Sequence, residues 1–195
     1  MRLHLVLLLA ALLGGCTALG TRQPDRYYIL DAGPVGEAAL RPRIGIEATP
    51  TTVASFYDTQ DIVFSRSPGT RGYYQFNHWT ERPQRAIYEQ LAARLDGADG
   101  SRRYLLATHL NEIYHDAAES PGSACIAFSA ELVDGDSKQV LARRTFIRSA
   151  PAASFDAPGA VRGFNQALQA VLDDVVGWLD AEVAARGAHS PTGKL

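Results

Sequence analysis

His109, Glu112 and His115 fall close enough together in this sequence to raise the question of a metal ion. Imidazole and carboxylate groups ligate zinc when the backbone lets them converge. The surrounding residues read as a β-strand, on which Glu112 points opposite to the two histidines. On a helix, the spacing is not the H-E-x-x-H arrangement of zinc hydrolases. Solvated strand residues and no bound metal are therefore expected. A hydrolytic set would have to draw on Ser129, His109 and Asp116, since no G-x-S-x-G elbow and no phosphate-binding glycine loop occurs. The acidic pairs Asp134/Asp136 and Asp173/Asp174 fall in a turn and on a helix face. Paired carboxylates do acid–base work only when burial drives their pKa values apart, and nothing marks these as buried. The reading is a protein that is not an enzyme and that needs no cofactor.

A different chemistry attaches to Cys16. Arg2 and His4 precede an unbroken apolar run, Leu5 to Leu13, that ends on Gly14, Gly15 and Cys16. As a helix the run would span about 14 Å. The hydrocarbon core needs about 30 Å, so it is too short for a transmembrane anchor. A basic start, a short apolar stretch and small residues before a break read as a secretory signal over residues 1–15. Leu13-Gly14-Gly15-Cys16 resembles the bacterial lipobox. That resemblance implies S-diacylglycerol and N-acyl groups on Cys16, which becomes the first residue after cleavage. One acyl chain holds a protein only marginally, at about 0.8 kcal/mol per buried methylene, whereas two or three make a stable anchor. Thr17 stands where aspartate is the usual inner-membrane retention signal, so the periplasmic face of the outer membrane is the expected location.

Aromatic side chains offer a third possibility, recognition rather than catalysis. Phe56, Tyr57, Tyr73, Tyr74, Phe76 and Trp79 crowd one stretch of the chain. Tyr and Trp are enriched at interfaces, which makes Phe56, Tyr57, Tyr73 and Trp79 candidates for docking a partner. Packing at the helix start is the alternative, above all for Trp79. The connection TPTTVASFYDTQ (49–60) shows no periodicity of its own, and long connections of that kind are often functional.

The elements that must position these residues follow from periodicity. YYILDA (27–32), RIGIEA (43–48), DIVFSR (61–66) and GYYQFN (72–77) are short β-type runs. The last two are joined by SPGTRG and read as a hairpin. Ile87, Leu91 and Leu95 then recur every four residues, marking an amphipathic helix with Thr80 as its N-cap and Pro83 in its first turn. Two further strands follow, RYLLATHLNEIY (103–114) and SACIAFSAELVD (123–134). The turn DGDSK leads to their partner QVLARRTFIRS (139–149). In the second of these, Ala124, Ile126, Phe128, Ala130 and Leu132 alternate toward a core. Val161, Phe164, Leu168, Val171, Leu172, Val175, Trp178 and Leu179 form one stripe of a long final helix, with Asp156 as its cap. The order ββββ-α-βββ-α predicts a single α+β domain. Its sheet is mainly antiparallel or mixed, with two long helices packed on one face. The domain spans 27–187, between a tether at 16–26 and a disordered tail at 188–195.

Composition narrows the partners. The formal charge is −2 and falls to −3 once Arg2 leaves with residues 1–15. There is no basic face of the kind that neutralises phosphates, so nucleic acid is not an expected partner. With Cys16 acylated, Cys125 has no partner for an internal disulfide, and it reads as a small core filler, an intermolecular disulfide being the alternative.

These features together resemble the ABC-type transport auxiliary lipoproteins, a family that includes the lipoprotein of the paraquat-inducible intermembrane transport system. The resemblance is carried by the lipobox at Cys16, YYIL at Tyr27 to Leu30, and IGI at 44–46. DIVFSR, with Ile62, Val63 and Arg66, and WTERP at Trp79 with Leu91 and Leu95 behind it, extend the match. It closes on Val161, Phe164, Asn165, Ala167, Leu168 and Trp178. TPTTVASFYDTQ departs from the compact LPxYL segment of many members. What the resemblance implies is an auxiliary docking component of an ABC system that moves lipid between inner and outer membranes. Its expected partners are a mammalian-cell-entry (MCE) protein and the ABC permease and ATPase, with a homo-oligomer also expected. A structural or assembly lipoprotein of the pilotin type is the alternative.

Overall fold

The structure, a computed structural model, describes residues 23–34, 45–95 and 103–187. Cys16, the signal segment and the tail lie outside the described residues, as does most of the 16–26 tether. The strands are β1 (Arg26–Tyr28), β2 (Ile46–Ala48), β3 (Thr52–Val53), β4 (Asp61–Ser65), β5 (Gly72–Trp79), β6 (Tyr104–Asp116), β7 (Ser123–Asp134) and β8 (Val140–Pro151). The helices of the described residues are α1 (Pro83–Leu95) and α2 (Ala157–Gly187), and a short 3-10 turn covers Ser55–Tyr57. The two-residue β3 and the 3-10 turn are the elements that sequence periodicity did not predict.

The eight strands of the described residues share one mixed sheet, ordered β1-β5-β4-β6-β7-β8. β6, β7 and β8 form the expected antiparallel meander, and β4 and β5 the expected hairpin. β2, β3 and β4 lie one after another along the same edge of β6, each parallel to it. β1 closes the far edge beside β5, also parallel.

The core lies between one sheet face and the helices. Ala124, Ile126, Phe128, Ala130 and Leu132 of β7 are all buried, as their alternation required. The α2 stripe from Val161 to Leu179 is buried against β7 and β8. Each fully buried Leu, Val or Phe contributes about 1.5–3 kcal/mol, which makes this face the main source of stability. Gly163 permits a close approach of α2 to the sheet. A β-carbon there would stand 2.9 Å from that of Ala124 and 3.0 Å from the carbonyl of Pro151.

The helix starts differ from one another. Asp156 caps α2, its carboxylate accepting the Gly159 N–H at 2.8 Å. For α1, Thr80 is not the cap, because it lies two residues before the capping position, which Arg82 occupies. The helix begins at Pro83, and the Arg82 carbonyl accepts the Ala86 N–H. Proline disfavours helical geometry in the residue before it and is pre-set for the first helical position.

After β1 the chain is held by side-chain amides from both helices. Gln90 of α1 donates to the Leu30 carbonyl at 2.9 Å and accepts the Ala32 N–H at 2.7 Å. Asn165 of α2 accepts the Asp31 N–H at 3.1 Å.

Candidate docking surface

The 49–60 connection is not free of structure. Thr49 and Ala54 donate backbone N–H groups to the Leu106 and Leu110 carbonyls of β6. Thr51 and Thr52 add side-chain bonds of 2.8 Å to Thr108 and to His109 Nδ1. The 3-10 turn then follows and presents Phe56 beside Tyr73 of β5. Their rings stack at 5.0 Å and 12°, and the Tyr73 hydroxyl donates to the Phe56 carbonyl at 3.3 Å. Phe56 is 40% exposed and Tyr73 43%, so the pair is an ordered apolar step on the surface.

Tyr57 supports that step from below. It is buried, meets Phe56 edge-on at 5.5 Å, and its hydroxyl accepts a hydrogen bond from Arg71 Nε at 3.0 Å. Burial raises the Tyr57 pKa against the opposing pull of Arg71, so the hydroxyl stays protonated at neutral pH. The Arg71 guanidinium also lies 3.8 Å over the Tyr114 ring, reaches Glu112 at 3.4 Å and donates to the Thr70 carbonyl at 2.9 Å. One arginine thus joins the 3-10 turn, the β4–β5 connection and β6. Its position in SPGTRG gave no sign of this, because Glu112 and Tyr114 lie more than 40 residues further along the chain.

Trp79 is elsewhere. It is 1% exposed, with its ring edge-to-face against Phe164 of α2 at 5.5 Å, and presents no surface to a partner. On an unbroken strand Tyr73 and Trp79, six residues apart, would share a face. The β4–β5 register shifts between Asp61 and Val63, and the shared face is lost.

A bulge also separates the histidines. The β6–β7 register shifts at Asn111, so alternation changes phase. His109 and Glu112 therefore both lie on the face without helices, and His115 turns inward. This corrects the expectation that Glu112 opposes both histidines. His115 is fully buried, with Nδ1 2.7 Å from the Tyr74 hydroxyl and Nε2 3.0 Å from the Pro121 carbonyl. A carbonyl only accepts, so Nε2 donates to Pro121, and both ring nitrogens are occupied by protein partners. Among the described residues no group of three or more His, Cys, Asp or Glu side chains could hold a metal ion.

The structure sets Ser129 and His109 opposite one another on β7 and β6, but Asp116 is not brought to them. Ser129 donates to Asn111 Oδ1 at 2.8 Å, and His109 Nδ1 bonds Thr52. Asp116 lies seven residues further along β6 than His109, about 20 Å away at roughly 3.3 Å per residue. Cys125 does not fill the core either. Its neighbours Ala124 and Ile126 do, and Cys125 sits half-buried on the opposite face, across from Tyr114. Burial pushes its thiol up, which favours the protonated form at neutral pH.

Residues 28–176 match the family described as the ABC-type transport auxiliary lipoprotein component. The chain belongs to that family. Membership makes it a lipoprotein component of an ABC-type transport system, associated with a membrane on the periplasmic side. Among solved structures, the chain is similar to a Xanthomonas campestris protein of the DUF330 family. That likeness has 22% identity and a TM-score of 0.74, covering 84% of this chain and 99% of that one. An uncharacterized protein is similar at 12% identity and a TM-score of 0.58, covering 83% and 99%. A putative lipoprotein from Caulobacter crescentus follows at 14% identity and a TM-score of 0.45, covering 74% and 92%. The first two likenesses establish the fold. Among curated proteins none matches the chain.

Proposed function

We propose that this protein is the lipid-anchored docking component of an MCE-type ABC system that moves lipid between inner and outer membranes. The observation that carries the reading is the family match over residues 28–176. Acyl groups on Cys16 fix the chain to the periplasmic face of the outer membrane, the side that Thr17 favours over inner-membrane retention. The domain then meets an MCE-domain protein and, through it, the ABC permease and ATPase. It contributes binding, not catalysis. The stacked Phe56–Tyr73 pair is the docking element: it is ordered before any partner arrives, so little side-chain entropy is lost on binding. Several copies of the chain assemble to meet the MCE protein.

The test is affinity capture of the acylated protein from its own membranes after mild crosslinking, read by mass spectrometry. Recovery of an MCE protein with its permease or ATPase supports the reading. Recovery of secretin or barrel-assembly components alone makes this an assembly lipoprotein of the pilotin type. Light scattering of the purified protein that shows a strict monomer, with and without the MCE partner, removes the oligomer from the account.

A further inference from the structure

We propose that Tyr27 and Ile29 form a ridge that seats the domain on a zwitterionic lipid surface and sets its orientation there. The inference rests on the reading of Cys16 as acylated. β1 begins just after the tether, and alternation splits its residues between two sides. Leu30 is buried at 3% exposure and Tyr28 packs against the core, whereas Tyr27 is 62% exposed and Ile29 66%. These are among the most exposed large apolar side chains of the described residues.

The ridge is fixed in place. β1 pairs with β5 from Arg26 to Tyr28, and the Thr80 N–H closes on the Tyr28 carbonyl at 2.8 Å. Just beyond Ile29, Gln90 and Asn165 hold the backbone of 30–32. Tyr27 leans on the His78 ring at 5.5 Å, which leaves its remaining surface outward. A rigid pair of this kind loses little entropy when it meets a surface.

Chain length identifies the surface. Tyr27 lies 11 residues after Cys16. That span reaches at most about 40 Å fully extended, and averages about 20 Å as a flexible coil. An acylated Cys16 therefore keeps the ridge at high effective concentration beside the bilayer. Ile147, as exposed at 67%, lies on β8 at the other edge of the sheet. Five strand spacings, about 24 Å, separate it from β1. Tyr and Ile suit the bilayer boundary, one with an apolar body and a polar tip, the other wholly apolar. Two side chains hold a membrane weakly, so the ridge orients and the acyl groups anchor.

Charge selects the lipid. Asp31, Glu81 and Glu89 line the surface beside Ile29, Asp58, Asp61 and Arg82 line that beside Tyr27, and His78 lies 2.8 Å from Asp61 and 3.8 Å from Asp25. Arg85 is already shared between Glu81 and Glu89, and Arg82 is engaged by Asp58. The remaining acidic excess repels an anionic leaflet and tolerates a zwitterionic one.

The experiment uses the acylated full-length chain in phosphatidylcholine–phosphatidylethanolamine vesicles containing brominated lipids. Ile29→Trp is compared with Ile147→Trp. The native Trp79 and Trp178 are buried, at 1% and 6% exposure, and contribute little to contact quenching by lipid. The expected result is at least twofold greater quenching for Ile29→Trp. That advantage shrinks at low salt when a third of the lipid is phosphatidylglycerol. Equal quenching of the two variants overturns the proposal. Mass spectrometry of the same samples reports whether Cys16 carries acyl groups. If it is bare, the anchor reading fails by itself. The same variants, made in a Cys125→Ser background and coupled through Cys16 to a maleimide phospholipid, then decide the ridge by the same criterion.

Discussion

Replacing Trp79 with alanine separates a core residue from a docking residue. The indole is 1% exposed and meets Phe164 edge-to-face at 5.5 Å. A buried aromatic removes roughly 150–250 Å² from water, and at about 25 cal/mol per Å² the loss is about 4–6 kcal/mol. Partial collapse of the surroundings brings this to about 3–5 kcal/mol, the range observed for Trp or Phe to Ala in cores. A domain of this size is stable by about 5–15 kcal/mol in total, so the variant folds marginally or not at all at raised temperature. Urea unfolding followed by far-UV circular dichroism measures the effect. With a slope of about 2 kcal/mol per molar urea, the midpoint falls by about 2 M. Phe56→Ala, at a half-exposed site, costs no more than about 1.5 kcal/mol and shifts the midpoint by well under 1 M. A Trp79→Ala midpoint within about 0.3 M of the parent, combined with lost partner capture, would refute the placement of Trp79 in the core.

Substitutions at three further positions test local features. Gly122 has φ of +82°, and a β-carbon there would lie 2.2 Å from the Asp116 carbonyl oxygen and 2.5 Å from His115 Nε2. Gly122→Ala should therefore cost more than about 1 kcal/mol, seen as a lowered thermal midpoint. Asp156 is held below the usual carboxylate range by the Ser154 hydroxyl and the Gly159 N–H. Its contribution is present in full above the unfolded value of about 4 and is lost as pH falls through the lower folded value. Asp156→Ala should cost about 1 kcal/mol at pH 7 and progressively less in acid, whereas Asp156→Asn should keep most of the cap and lose the pH dependence. Arg71→Lys cannot lie flat on Tyr114 while bonding both Tyr57 and Glu112. It should cost about 1–2 kcal/mol and weaken partner capture by loosening Phe56, both absent in a conservative change at exposed Arg143.

How far the sequence announces this arrangement depends on the reach of each interaction. Core alternation in β7 and the α2 stripe are local patterns repeated over many residues, and both appear as read. The Asp156 cap is likewise a local signal. A bulge is a single extra residue that reverses every later side chain, and nothing in LNEIY marks Asn111 as that residue. The same kind of shift in the β4–β5 hairpin sends Trp79 inward while Tyr73 stays outside. Arg71 depends on Glu112 and Tyr114 from a distant strand, a pairing that composition and spacing do not encode. Phe56 and Tyr73 were legible as aromatic candidates, but their stacking, and the burial of Tyr57 beneath them, required the 3-10 turn that the sequence left without structure.

The account turns on whether Phe56 and Tyr73 touch an MCE protein in the cell envelope. A photo-crosslinking amino acid at position 56 or 73 of the acylated chain, irradiated in native membranes, reads that contact directly, with position 147 as the control. The account predicts adducts of an MCE-domain protein at 56 and 73 and none at 147. Adducts at 147 alone, or adducts at 56 and 73 only to secretin or barrel-assembly proteins, would contradict it.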